Sequence, residues 1–167
     1  MNTCYTSDCF CFRLCHVLFS GQGTQWVGMG RDMLKLDIFR QSIERCAKVL
    51  QPFGLDLVQI LSSSSEADFD DPTISFVGIA AIQVALVDLL QVLKLNAEGF
   101  VGHSAGEISC AYADGCLTCE EALLTAYYRG RSVKVCNQYS QGWFTFFPNH
   151  NMDRKRSWKQ APWLLLV

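Results

Sequence analysis

The sequence predicts an α/β domain built on a mainly parallel sheet, and two observations lead there. Short apolar runs alternate along the chain with stretches of helical periodicity, the order that produces strand–crossover–strand units. The second such run lies in Glu98-Gly99-Phe100-Val101-Gly102-His103-Ser104-Ala105-Gly106-Glu107 and passes through a glycine-flanked serine straight into a helix. A chain of 167 residues suits one domain of ordinary size.

Residues 17–19 read as a buried strand and 20–24 as a glycine-containing loop. A helix covers about 38–50, on the helical spacing of Ile43, Cys46, Ala47 and Leu50, and Pro52 and Gly54 end it. Residues 61–72 are polar and read as a loop closing on Asp70-Asp71-Pro72. The most apolar segment, 75–93, is interrupted by Gln83, Asp88 and Gln91, so it reads as a buried central helix rather than a membrane span. A strand follows at 99–102. The helix after Ser104 stops at Gly115, a suitable glycine for a helix C-terminus. Thr118 and Glu121 have capping-box spacing and open a helix to about residue 135.

Beyond residue 136 the helical period is lost. Residues 143–147 have strand character, and Trp158, Trp163 and the terminal Leu-Leu-Leu-Val sit among polar and basic residues. Apolar groups stranded in this way carry an aggregation risk. Three segments result: 1–16 and 136–167 without assignment, and 17–135 as the folded region.

Half of the residues are apolar and 18% are charged, a globular composition. A net charge of -2 gives no electrostatic footprint for nucleic acid. Neither nucleic acid nor a membrane is expected as a partner. The N-terminal run CFCFRLCHVLF is broken by Arg13 and His16 and has neither a basic leading region nor a small-residue cleavage site, so it does not read as a signal peptide. The nine cysteines are odd in number, which argues against a simple disulfide framework. Cys116-Leu117-Thr118-Cys119 is a lone C-x-x-C, and Cys9, Cys11, Cys15 and His16 match no zinc spacing, so no metal is expected. The cysteines read as reduced thiols of a cytoplasmic protein.

The chemistry gathers at Gly102-His103-Ser104-Ala105-Gly106, a G-x-S-x-G pattern. Such a turn brings backbones so close that a side chain at Gly102 or Gly106 would clash. It lifts the Ser104 Oγ out of the sheet and aims the Ala105 N–H at a developing oxyanion, beside the positive end of the next helix. The bland alternative is a glycine-rich structural turn.

FSGQGTQWVGMGRDM, DDPTISFVGIAAIQVALVDLL and GFVGHSAGEISCAYADGCLTCEEALLTAYYRGR together resemble the malonyl/acetyltransferase domain of animal-type fatty acid synthase. The resemblance covers about residues 17–135. It implies an α/β-hydrolase-like acyltransferase core and a ping-pong reaction. A serine takes malonyl or acetyl from coenzyme A and passes it to acyl carrier protein, within the rest of a synthase chain. No cofactor is implied beyond the coenzyme A and phosphopantetheine that the substrates carry. By the same resemblance Ser104 is the acyl acceptor, Gln22 and Ala105 supply the oxyanion-hole amides, and Arg129 pairs with the malonyl carboxylate. A guanidinium fork suits a carboxylate in a way that Lys does not. The bland reading of Arg129, Arg131 and Lys134 is a cationic face near a helix C-terminus. Arg129 and Arg131 lie about 200° apart on a helix, so they do not share one pocket.

His103 adjoins Ser104, but neighbours on a strand point to opposite faces. A base must come within about 3 Å of the serine oxygen. His103 is therefore read as support for the turn, with Gly102 and Gly106. The family's base histidine follows a small ferredoxin-like subdomain that this sequence lacks. After Ser104 the only histidine is His150, in no family motif. The expectation is a fragment that carries the nucleophile without its base and is inactive alone. Two alternatives stand. One is an α/β-type serine hydrolase completed by His150 and Asp114 or Asp153, although Asp153 breaks that fold's Ser–Asp–His order. The other is a non-catalytic fragment that binds acyl carrier protein.

Overall fold

The computed structural model describes residues 15–63, 65–95 and 97–138. The possible strand at 143–147, the cysteines of the N-terminal run before Cys15, His150 and Asp153 lie outside the described residues.

Two strands, β1 (His16–Phe19) and β2 (Gly99–Gly102), pair in parallel with Phe19 opposite Gly102. The crossover between them is helical: α1 (Asp37–Leu50), α2 (Leu57–Ser63) and α3 (Pro72–Val92). After β2 come α4 (Gly106–Ala113) and α5 (Cys119–Gln138). The predicted α/β class holds, although the described residues are mostly helical. Residues 61–72 are a correction. α2 runs into that polar stretch, and a 3-10 turn, Glu66–Asp70, fills most of the rest. Ser65 starts the turn with a capping box, its N–H donating to Asp68 Oδ2 at 2.7 Å. The run of serines was legible as polar but not as capped.

α3 is the hub. It is long and apolar enough to cross a membrane, yet Val77, Ala81, Val84 and Ala85 are fully buried within the protein. It packs on α5, α1 and α4. The main core joins Phe39, Ile43 and Leu50 of α1 with Leu57 and Leu61 of α2, Val77 and Val84 of α3, and Leu123 of α5. A smaller cluster sets Phe19 and Phe100 of the sheet against Val87 of α3 and Cys110 of α4. The sheet's opposite face carries Leu18 and Val101, paired in register and 72% and 53% exposed.

Both long helices start on designed caps. Thr118 and Glu121 form the expected box: Glu121 N–H donates to Thr118 Oγ1, and Thr118 N–H donates to Glu121 Oε2 at 2.8 Å. Asp71 caps α3 by accepting from Thr73 N–H at 2.8 Å, with Pro72 in the first turn. Its second oxygen accepts from Lys134 Nζ at 2.6 Å, which ties α5 to the start of α3. Gly130 allows this approach, since a Cβ there would lie 2.5 Å from the Thr73 Cα. Gly115, at φ +73°, ends the segment after α4 as anticipated.

Burial pushes the Asp71 carboxyl upward, but the Lys134 ammonium and the Thr73 N–H outweigh it and hold it below the ordinary range. The Thr118 N–H does the same for Glu121. Both folded pKa values are depressed, so their stabilisation is complete above about pH 4 and is lost as pH falls through the folded values. Asp71→Ala should cost about 1–2 kcal/mol in urea unfolding at neutral pH, mostly through the lost cap. The gap between variant and wild type should narrow as pH is lowered below about 4. A gap that stays constant to the lowest accessible pH would contradict this account.

Candidate active site: the serine turn

Ser104 sits two residues past the end of β2, with φ +55°. That left-handed conformation costs a residue with a Cβ roughly 1–2 kcal/mol. Three approaches enforce it. A Cβ at Gly102 would lie 2.6 Å from the Glu107 Cα, and one at Gly106 would lie 2.2 Å from the Phe19 carbonyl oxygen. A Cβ at Gly21 would lie 2.8 Å from the Ser104 Cβ and 3.3 Å from the Ala105 nitrogen. β1 and the loop after it therefore press directly on the serine turn. The turn closes on itself through Gly106 N–H to His103 C=O at 2.9 Å and Glu107 N–H to Ser104 C=O at 3.2 Å.

Gly21, the first residue of Gly21-Gln22-Gly23, thus lies against Ser104. Thr24 Oγ1 donates to Gly21 C=O at 2.8 Å, and Gly23 N–H donates to Gln25 Oε1 at 2.8 Å. Among the described residues, neither the Gln22 nor the Ala105 N–H has a hydrogen-bond acceptor. The Ala105 N–H follows Ser104 at the start of α4, where the helix dipole favours negative charge, and Gln22 follows the glycine that packs on the serine.

Gln83 was missed. In the sequence it counted only as a polar break in an apolar helix. In the fold it is buried, and its Nε2 donates to Ser20 C=O at 2.8 Å. It anchors the loop that carries Gln22 to the hub helix. The signal was there: an amide in the middle of an apolar helix, once buried, needs a partner.

The remaining site residues separate. His103 is held through its backbone, its N–H donating to Phe19 C=O at 3.0 Å, while the residue itself is exposed. Its support of the turn comes from the main chain and not from side-chain packing. His16 opens β1 at the other end of the strand pair and packs on Gly99. Three residues of strand put it roughly 10 Å from the serine end. Arg129 of α5 is half-buried and has no ion pair among the described residues, whereas Arg131 is exposed and Lys134 is engaged by Asp71. The three cations do not form one face. Asp114, the alternative triad acid, follows the C-terminal end of α4 and accepts from Cys116 Sγ at 3.2 Å. That is about 12 Å of helix away from Ser104.

Residues 17–142 match the family model of the acyl transferase domain. The chain belongs to that family. Among curated relatives, the reducing polyketide synthase FUB1 of Gibberella moniliformis is 42% identical over 116 residues, 68% of this chain and 5% of its own length. An MCAT from Streptococcus pneumoniae superimposes with a TM-score of 0.67 at 32% identity, over 73% of this chain and 39% of its own. An acyl carrier protein S-malonyltransferase from Vibrio cholerae gives 0.65 at 27% identity, over 71% and 38%. This acyltransferase chain therefore spans one twentieth of that polyketide synthase and under two fifths of the two solved enzymes. The synthases matched are polyketide synthases, so the family expectation holds at the level of the acyltransferase domain.

Ser104→Gly should raise stability by about 1 kcal/mol, because glycine accepts the left-handed turn without strain. Gly106→Ala should lower it by about 3 kcal/mol or more, because backbone has to move away from the new Cβ. Chemical denaturation of the two variants checks both signs. A destabilised Ser104→Gly would show that the turn is not strained.

Proposed function

We propose that this chain is the nucleophile-bearing part of an acyltransferase that moves malonyl or acetyl from coenzyme A, through an ester on Ser104, to the phosphopantetheine thiol of acyl carrier protein. One observation carries the reading: a serine held in a left-handed turn at the start of a helix, with Gly21 of the Gly21-Gln22-Gly23 loop packed against it. The Vibrio enzyme's own designation supports malonyl and acyl carrier protein as substrate and acceptor. The polyketide synthase relative supports a multidomain setting. Animal-type fatty acid synthase is the narrower form of this reading, and it rests on the motifs from GQGTQ to YYRGR.

In the first half-reaction Ser104 Oγ attacks the thioester carbonyl and loses its proton to a base. The oxygen that becomes negative accepts from the Gln22 and Ala105 N–H groups. Collapse expels the coenzyme A thiol, which takes the proton, and leaves the acyl ester. The carrier thiol then attacks that ester by the same route in reverse. Arg129 holds the malonyl carboxylate, which an acetyl group lacks. The base is a histidine carried on neither β1 nor the serine turn: His16 is at the far end of the strand pair, and His103 is tied into the turn through its backbone. Without it the isolated chain does not turn over, although binding and the oxyanion hole leave residual acylation.

Incubation of the 167-residue chain with malonyl-CoA, followed by peptide mapping, should place any label on Ser104 alone and none in Ser104→Ala. Multiple turnover with acyl carrier protein should be absent, and the exposed Leu18–Val101 face should favour association on standing. Robust turnover that vanishes in His150→Ala would refute the assignment of the base.

In an intact synthase carrying this region, Arg129→Ala should reduce malonyl transfer roughly 10- to 150-fold, the equivalent of about 1.5–3 kcal/mol for a lost charge-assisted pair, and leave acetyl transfer much less affected. Equal losses with both substrates would assign Arg129 a structural role.

A further inference from the structure

The cysteine arithmetic of the sequence drew attention to Cys116 and Cys119, yet the fold pairs Cys119 differently. Its Sγ lies 3.6 Å from the Sγ of Cys46, which is 73 residues away in the chain. Cys46 is fully buried on α1, and Cys119 is the partly exposed first residue of α5. Cys116 is instead turned to Asp114.

We propose that Cys46 and Cys119 form a redox-active dithiol, in which Cys119 is attacked first by a hydroperoxide and Cys46 then closes a disulfide between α1 and α5.

The surroundings divide the two roles. The positive guanidinium of Arg45, next to Cys46 in sequence, favours a thiolate at Cys119. That guanidinium is held in place by Asp88 Oδ2 at 2.5 Å, by the Tyr112 hydroxyl at 3.1 Å and by Ser42 Oγ at 3.3 Å. Cys119 also stands at a helix N-terminus, a setting that favours thiolate. The Cys46 S–H and then Arg45 bring the Cys119 thiol below its ordinary range, whereas the bond to Cys119 and burial push Cys46 upward. The partly exposed Cys119 is thus the thiol that ionises more readily, and the buried Cys46 holds its proton more tightly. A thiolate that is accessible and sits next to a second thiol is the arrangement of reversible oxidation.

The chemistry balances with a hydroperoxide as oxidant. The Cys119 thiolate attacks the peroxide's terminal oxygen; the S–O bond forms, the O–O bond breaks, and the alcohol or water leaves with a proton. Cys46 then loses its proton and attacks the Cys119 sulfur. The S–S bond forms, the S–O bond breaks, and water departs. Two thiols are oxidised by two electrons, and one peroxide is reduced. The sulfurs are already in contact, so closure asks for a movement of about 1.5 Å. The resulting bond would lock the helix that carries Arg129 to α1.

The full chain, fused to a cysteine-free solubility partner, is treated with hydrogen peroxide and mapped by mass spectrometry without reduction. The expected product is a Cys46–Cys119 linked peptide that dithiothreitol releases, with Tm raised by roughly 5–15 °C through the closed loop. In Cys46→Ser, Cys119 should accumulate as a sulfenic acid trapped by dimedone. In Cys119→Ser, Cys46 should stay reduced. Linkage of Cys119 to Cys116 in the wild-type chain would overturn the proposal, as would oxidation of Cys46 at the wild-type rate in Cys119→Ser. So would an unmodified wild-type Cys119 at peroxide doses that oxidise the exposed Cys15.

Discussion

The contact on which this structure depends is backbone against backbone: Gly106 at the start of α4 against the Phe19 carbonyl at the end of β1. No other residue type fits there. Because the two chains meet so closely, β2 cannot run on as a strand. It turns within three residues into α4, and the residue at the apex takes a left-handed φ. Ser104 is that residue. The strain is local, and it is sustained by Gly21 and Gly102, which close the turn from two more sides. The geometry that presents the hydroxyl is thus a consequence of missing side chains around it.

The helices hold that contact in register. α3 carries Gln83, which grips the loop after β1 through Ser20. At its other end α3 begins on Asp71, which also receives Lys134 of α5. One helix therefore connects the loop beside the serine with the helix that bears Arg129. α1 packs on α3 and reaches α5 through the Cys46–Cys119 contact, while Arg45 ties it to Asp88 of α3 and Tyr112 of α4. A change in how α5 seats on α1 would be felt along the same helix. This coupling is inferred from contiguity, and its physical element is the position of α5.

A parallel pair of strands is rarely sufficient on its own, since parallel sheets are normally covered on both faces. Here Val17, Phe19 and Phe100 are covered by α3 and α4, while Leu18 and Val101 are exposed. The solved relatives are more than twice as long as the stretch they share with this chain. A strand pair displays the serine at its C-terminal end, where ligands bind in α/β sheets, and the described residues cover the sheet from one side.

Much of the local structure was legible in the sequence because it rests on near neighbours. Thr118 and Glu121 announce their cap by spacing, Gly115 its turn, and the apolar run of α3 its burial. The strand-to-helix turn at Ser104 was legible too, since glycine at both flanks has little other reason to occur. What the sequence could not decide depends on groups far apart in the chain. Ser65 and Asp68 ordered a stretch that looked like loop, Gln83 found Ser20, Gly21 came to rest on Ser104, and Cys119 met Cys46 instead of its C-x-x-C partner. Residue types and spacings determine which groups can bond. The tertiary structure alone determined which of them are brought within reach, because that follows from helix packing angles and close backbone approaches that no short stretch of sequence encodes.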